Sequence, residues 1–341
     1  MGKEPGMVGA KEIAAMLGLS ISTIGRALAD DPRISAETKA RVRKACDQMG
    51  YVGNLPARMM RGGSSNFIGL VLPDIRNDFY ASIAQTLSEC CDRNGFHVAL
   101  SITSDNRETE YRHLRDLVGA RVAGTIIVPT AAPRRDSVAL LKRAPHVQML
   151  RKLPGVGGAW FGIDDEAALY DAADHLLRLG HRRIAYIGVS DRRSTSMDRL
   201  RGVRRAYAAH RADAELLSVY LGPSNAEAGE QAFEQILNAS PRTSAILSAS
   251  VHVTHGVLRA IRSRNIDIPG EMSFVGFGDP EWYSWWGPGL TTVQLPVQSL
   301  ATSCGLWFLD TLREGSEQAL QADHQSTSAA QLVVRGSTGR R

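Results

Sequence analysis

Asp164, Asp165 and Glu166 form a run of three carboxylates with the types for general acid–base work, and His252 and His255 share one helical face at i, i+3. Neither group is complete. The carboxylates stand just before a helical run ending at Gly180, where acids offset the helix dipole. The histidines have no nearby Glu, Asp or Cys at zinc-ligand spacing. The sequence has no Gly-x-Ser-x-Gly elbow, no Gly-x-x-x-x-Gly-Lys phosphate loop and no Gly-x-Gly-x-x-Gly turn after its first strand. The expectation is a protein that is not an enzyme and needs neither metal nor cofactor. Cys46, Cys90, Cys91 and Cys304 sit in helix-like or apolar stretches without a Cys-x-x-Cys pair, which fits reduced, buried thiols. Trp282, Tyr283, Trp285 and Trp286 crowd one segment. Such rings either pack or stack on the C–H face of a ligand, and Phe79-Tyr80 invites the same two readings.

Charge points to a different chemistry. The chain carries a formal +5, and residues 1–62 hold ten Lys/Arg against six Asp/Glu, so the excess sits at one end. That end suits a polyanion, or is a solvated basic face. Its pattern predicts three short helices. Ile13, Ala14 and Leu17 mark the first, which Gly18 stops; Ser20 caps a second, with Ile24, Ala27 and Leu28 inward and Ile21, Ser22, Gly25 and Arg26 outward. Ser35 caps the third, whose stripe is Val42, Ala45, Cys46 and Met49, and Gly50 ends it. A glycine turn between two helices is the pattern of a helix-turn-helix, or of any helical hairpin. Pro56 to Arg61 reads as a short helix before the flexible Gly62-Gly63-Ser64-Ser65, and Met60 between Arg58 and Arg61 has the make-up of a minor-groove wedge.

From Phe67 the rhythm changes to strand, helix, strand. FIGLVLP, HVALSIT, AGTIIVP, HVQML, WFGI, RIAYIG, TSAILSA and SFVGFG are short apolar runs, and helical patterns lie between them near 80–94, 107–119, 134–143, 165–179, 197–211, 226–238 and 252–264. This alternation predicts parallel sheets covered on both faces. About 270 residues exceed one sheet, so two doubly wound lobes are expected, with a ligand cleft at the carboxyl ends of the strands. The length of 341 residues, 43% hydrophobic and 22% charged, excludes a disulfide-stapled miniprotein and a disordered chain. No run reaches the roughly 18 apolar residues of a membrane span, and the N-terminus lacks a secretory apolar stretch, so a cytoplasmic, nucleoid-associated protein is expected.

The ordered motifs resemble the lactose repressor (LacI/GalR) family of bacterial transcription regulators. EIAAMLGLSISTIGRAL matches its helix-turn-helix, RISAETKARV and MGYVGN its third helix and hinge start, PARMMR its hinge helix, and IGLVLPDIRNDFY its first core strand and cleft loop. HLLRLGHRRIAYIG and RLRGVRRAY match the second lobe, PGLTTVQLP the crossover and LVVRGST the C-terminal strand. The resemblance implies an all-α helix-turn-helix head at 8–53, a hinge helix and linker at 54–65, and an α/β two-lobed periplasmic-binding-protein-like core with doubly wound parallel sheets at 66–341, which binds effector and dimerises. It implies a homodimeric regulator, most simply a repressor, on near-palindromic double-stranded operator DNA, switched by a sugar, sugar acid or related metabolite. A solute-binding protein without a DNA role is the alternative.

By the same resemblance, Ile21, Ser22 and Arg26 touch base edges, Ser20, Thr23, Arg33, Ser35, Thr38, Asn54 and Ala57 the DNA backbone, and Met60 replaces a wedging leucine. Gly25, Ala29 and Gly53 depart from a common serine, asparagine and proline. Effector contacts fall to Phe79, Arg151, Arg199, Val251, Asp279 and Trp282. The family's usual Asn-Asp pair is Ser250-Val251 here. Loss of that carboxylate leaves three options open: a less polar ligand, an anionic one held by Arg199 and Arg151, or none.

Overall fold

A computed structural model describes residues 8–28, 31–51, 65–189, 194–315 and 324–341. The chain forms two compact units, Met1–Ser65 and Asn66–Arg341. The first holds α1 (Ala10–Leu17), α2 (Ile21–Leu28) and α3 (Ala36–Met49). Their apolar stripes meet in a small core of Ile13, Ala14, Ile24, Ala27, Val42, Ala45 and Cys46. Gly18 ends α1 at φ 64°, a left-handed conformation that costs a side-chain-bearing residue dearly, and so permits the abrupt turn into α2.

The second unit has two lobes with matching sheets. The first lobe's strands are β1 (Phe67–Leu72), β2 (His97–Ile102), β3 (Gly124–Ile127), β4 (His146–Met149), β5 (Ala159–Ile163) and β11 (Gln325–Ser328), in the order β11-β5-β4-β3-β1-β2, all parallel. The second lobe's are β6 (Ile184–Val189), β7 (Leu217–Gly222), β8 (Ala245–Ser248), β9 (Ser273–Phe277), β10 (Thr291–Gln294) and β12 (Gln331–Val333), in the order β12-β10-β9-β8-β6-β7. Only β12 runs antiparallel to its neighbour among the described strands. β1, β8 and β9 are buried along nearly their whole length, as central parallel strands require, whereas the edge strands β2 and β7 are half exposed.

Helices α4 (Asp78–Arg93), α5 (Arg107–Gly119) and α6 (Arg135–Leu141) belong to the first lobe, and α7 (Asp165–Arg178), α8 (Ser194–Ala209), α9 (Ala226–Asn238) and α10 (Val251–Ser263) to the second. α11 (Val297–Glu314) returns to the first lobe, packing on α4 through Cys304 and Gly305 and on Gly124 of β3 through Phe308. The sequence reading assigned no element to α11, β7 or β11. The chain passes between lobes after β5, after β10 and between β11 and β12. The Asp164 amide donates to the Ser328 carbonyl at 3.1 Å, tying two of these crossings together. Among the described residues no helix is long and apolar enough to cross a membrane.

Candidate functional site

In the head, Ser20 Oγ accepts from the Thr23 amide at 3.0 Å and meets Thr23 Oγ1 at 2.8 Å, which fixes the start of α2. Ser35 does the same for α3 with Thr38, at 3.2 and 2.9 Å. The outward face of α2 then carries Ser22, Arg26 and a 55% exposed Ile21. A large aliphatic chain left in water at the tip of a helix has no packing explanation among the described residues of the head and can meet a partner. Arg33 is less available. It grips Asp31 with Nε and Nη2 at 3.0 and 2.7 Å, and this hydrogen-bonded arginine holds the Asp31 carboxyl far below the usual range. Asn54, Ala57, Met60 and the rest of the hinge segment up to Ser64, together with Ala29, lie outside the described residues.

The core unit's main cleft lies where the carboxyl ends of both sheets face each other, at the reversal point of each strand order. Asp74 follows β1, Ser104 and Asp105 follow β2, and Leu150 and Arg151 follow β4; from the other lobe come Arg199 on α8, Ser250 to His252 after β8, and Phe277 at the end of β9. Phe79, Arg151, Arg199 and Val251 therefore line one cleft. Ser104, Asp105 and Leu150 all have positive φ, 51°, 56° and 63°, so the first lobe's wall is built from strained backbone.

Each arginine of this cleft has its own carboxylate. Arg199 Nε donates to Asp165 Oδ1 at 2.6 Å and Nη1 to the Ala249 carbonyl at 2.8 Å, and its guanidinium lies 4.1 Å over the Phe277 ring. Asp165 is 4% exposed; burial pushes its carboxyl up and Arg199 opposes that shift. Arg151 donates to Asp105 Oδ1 at 2.5 Å and Oδ2 at 3.3 Å, and to the Pro129 carbonyl at 3.0 Å. Arg76 holds Asp74 through its amide and Nε at 2.9 and 3.2 Å. His252 Nε2 reaches Asp74 Oδ2 from the opposite lobe at 3.4 Å. Burial raises the Asp74 carboxyl, but Arg76 and His252 outweigh it and leave it below its ordinary value.

Two expected effector residues are placed elsewhere. Asp279 is gripped bidentately by Arg335 at 2.8 and 2.9 Å and faces a second cavity, beyond Phe79 and Val251. Its carboxylate pins the C-terminal segment to the second lobe. Trp282 packs edge-on against buried Tyr283, ring centroids 4.5 Å apart, and against His255 at 5.3 Å, away from both cavities. Of that aromatic cluster only Trp285 is mostly exposed, at 70%. Asp164 caps α7 and Glu166 pairs with Arg201 and Arg205, so the acidic run serves structure. His252 and His255 form no metal cluster, and among the described residues no group of three or more His, Cys, Asp or Glu could hold one. The sequence reading missed Asp74 and Asp105 as cleft residues. Their place directly after β1 and β2 was the available signal.

Comparison with known proteins agrees with this division. Residues 10–54 match the family model for bacterial regulatory proteins of the lacI family, and residues 173–338 that for a periplasmic binding protein-like domain. The transcriptional regulator GalR of Escherichia coli is 26% identical over 86% of this chain and 85% of its own. DegA of Bacillus subtilis, also an HTH-type transcriptional regulator, is 28% identical over 96% of this chain and 97% of its own. A crystal structure of the lac repressor dimer bound to operator and the anti-inducer ONPF superposes with a TM-score of 0.83 at 22% identity, covering 98% of this chain and all of that one. Helix-turn-helix head, two lobes of like topology and their interposed cleft thus occur together and in order, and the chain joins a head of the lacI family of bacterial regulatory proteins to a periplasmic binding protein-like domain.

Proposed function

We propose that the protein is a transcriptional repressor that binds near-palindromic operator DNA as a homodimer in the cytoplasm and is switched by a small molecule in the inter-lobe cleft. The observation that carries this reading is the outward face of α2, where Ile21, Ser22 and Arg26 stand exposed behind the Gly18 turn. Arg26 is assigned to a guanine edge, Ile21 to a thymine methyl, and Ser20, Thr23, Ser35 and Thr38 to phosphates. Residues 54–65 are read as the hinge, with Asn54 and Ala57 on the backbone and Met60 as the wedge. The cleft is read as a binding site rather than a catalytic one, because its acids are engaged by arginines. That pairing also favours a neutral polyhydroxylated effector over an anion: the arginines bring no uncompensated positive charge, while Phe79 and Tyr80 line the cleft with rings that suit C–H groups.

Selection from a random duplex pool with the full-length chain tests the DNA reading. A two-fold-related consensus is expected, and Arg26→Ala should relax one base position by about 1–3 kcal/mol. No enrichment from the pool would overturn it. For the cleft, neutral sugars at saturating concentration should raise the melting temperature and the matching sugar acids should not.

A further inference from the structure

Beneath the cleft wall lies a carboxylate that none of the foregoing uses. Glu110, on α5, is fully buried, and burial pushes its carboxyl up. Its Oε2 accepts from the Thr130 amide at 2.7 Å, while Oε1 and the neighbouring Thr130 and Ser137 hydroxyls have no partner in hydrogen-bond geometry. The Thr130 and Ser137 hydroxyls and the Arg151 charge lie close enough to favour the ionised carboxylate, but its aligned donor is the Thr130 amide, and a buried acid held in this way calls for an explanation. The other side of the same peptide unit supplies one. The Thr130 N–H and the Pro129 C=O belong to one amide plane, and that carbonyl accepts from Arg151 Nη1 at 3.0 Å. The order is therefore carboxylate, amide, guanidinium, carboxylate: Glu110, the 129–130 peptide, Arg151 and Asp105, with the peptide dipole pointing its positive end at Glu110 and its negative end at Arg151. Each bond polarises the next in the same sense. Asp105 sits at φ 56°, and its carboxylate is 29% exposed.

We propose that Glu110 is a positioning residue of the cleft, which through the Pro129–Thr130 peptide fixes the Arg151 guanidinium in the wall that faces the effector. This rests on reading the cleft as the effector site, but the relay exists with or without a ligand and is tested without one. Arginine-labelled full-length protein allows the rotation of the Arg151 and Arg199 guanidinium groups to be followed by 15N NMR, alongside hydrogen exchange at the Thr130 amide. Glu110→Met removes the acceptor and keeps the shape, so Arg151 should rotate faster and Thr130 exchange about tenfold faster or more, as for loss of a hydrogen bond to a charged group. Arg199, anchored by Asp165 in the other lobe, should not change. Glu110→Gln keeps an acceptor and should restore both signals to near wild type. If Arg151 is unaffected in Glu110→Met, if both arginines loosen alike, or if Glu110→Gln behaves as Glu110→Met does, the relay is wrong. Should Glu110→Met not fold, Arg151→Met reads the same relay from its other end. Thr130 exchange should then rise about tenfold, and an unchanged rate overturns the proposal.

Discussion

The two lobes share a strand order but hold their cleft arginines by different means. In the second lobe Arg199, itself 16% exposed at the cleft, is clamped by a 4% exposed Asp165, a carbonyl and an aromatic face. In the first, Arg151 leans on a 29% exposed Asp105 carried by a strained turn, and on a peptide held from behind by Glu110. The helix layers differ in the same direction. Where α9 crosses α10, a Cβ on Gly256 would stand 1.9 Å from the Ala226 carbonyl oxygen, so backbone meets backbone; where α11 crosses α4, Gly305 faces only the Leu87 and Cys90 side chains, at 3.0 and 3.1 Å. One topology thus supports a stiff lobe and a more adaptable one. A two-lobed sensor gains from that asymmetry, because a ligand shifts the balance between states only through contacts that differ between them.

Neutralising the two anchoring acids gives the sharpest contrast. Asp165→Asn takes the counter-charge from Arg199 and leaves a partly exposed guanidinium on its carbonyl and ring, so about 2–3 kcal/mol should be lost in urea unfolding. Asp105→Asn keeps a residue that tolerates the left-handed turn, and Arg151 retains its carbonyl and the Glu110 field, so a loss below about 1.5 kcal/mol is expected. Equal losses would erase the distinction between the lobes.

Why these anchors were not legible follows from how they are made. Strands such as β1 and β9 announce themselves as unbroken apolar runs because both faces are covered, and α1 to α3 by their apolar stripes and caps. β11, with the sequence QSTS, has no apolar signature at all, and its place beside β5 is set by the returning chain rather than by its own residues. α11 did carry the helical period, in Leu300, Cys304 and Phe308, but with Gly305 inside it. Arg199 and Phe79 could be placed in the cleft by resemblance, whereas the partners Asp165 and Asp105 lie 34 and 46 residues from their arginines, a pairing that only the folded sheets create. Asp279 misled for the converse reason. The resemblance places it at a ligand, whereas the C-terminal Arg335, 56 residues away, and Gln294 on β10 both hold its carboxylate.

Glycine replacement probes the helix layers at intermediate cost. Gly256→Ala forces a methyl into the Ala226 carbonyl, which the α9 backbone cannot yield without shifting the helix, so about 1–3 kcal/mol should be lost. Gly305→Ala meets side-chain atoms that can rotate away, and the gain from replacing a mid-helix glycine, about 0.5–1 kcal/mol, offsets the tighter fit. Its urea midpoint should stay close to wild type. A larger loss at Gly305 than at Gly256 would reverse the assignment of the stiff lobe.

The smallest effect concerns the contacts by which the lobes touch across the cleft. His252 meets Asp74 at 3.4 Å, and the Lys152 amide donates to Ser194 Oγ at 3.3 Å. Asp74→Asn removes a partly exposed ion pair worth no more than about 1 kcal/mol, so global stability should scarcely change. The same energy spent on an open–closed equilibrium shifts it up to about fivefold. Hydrogen exchange at the Lys152 amide reads that equilibrium locally. If the first lobe is the adaptable partner, releasing Asp74 loosens the remote Lys152 contact as the lobes part together, and exchange there rises by up to the same factor. If Lys152 exchange stays at the wild-type rate, the two contacts open independently, and the lobes do not move as the paired bodies that their matched sheets suggest.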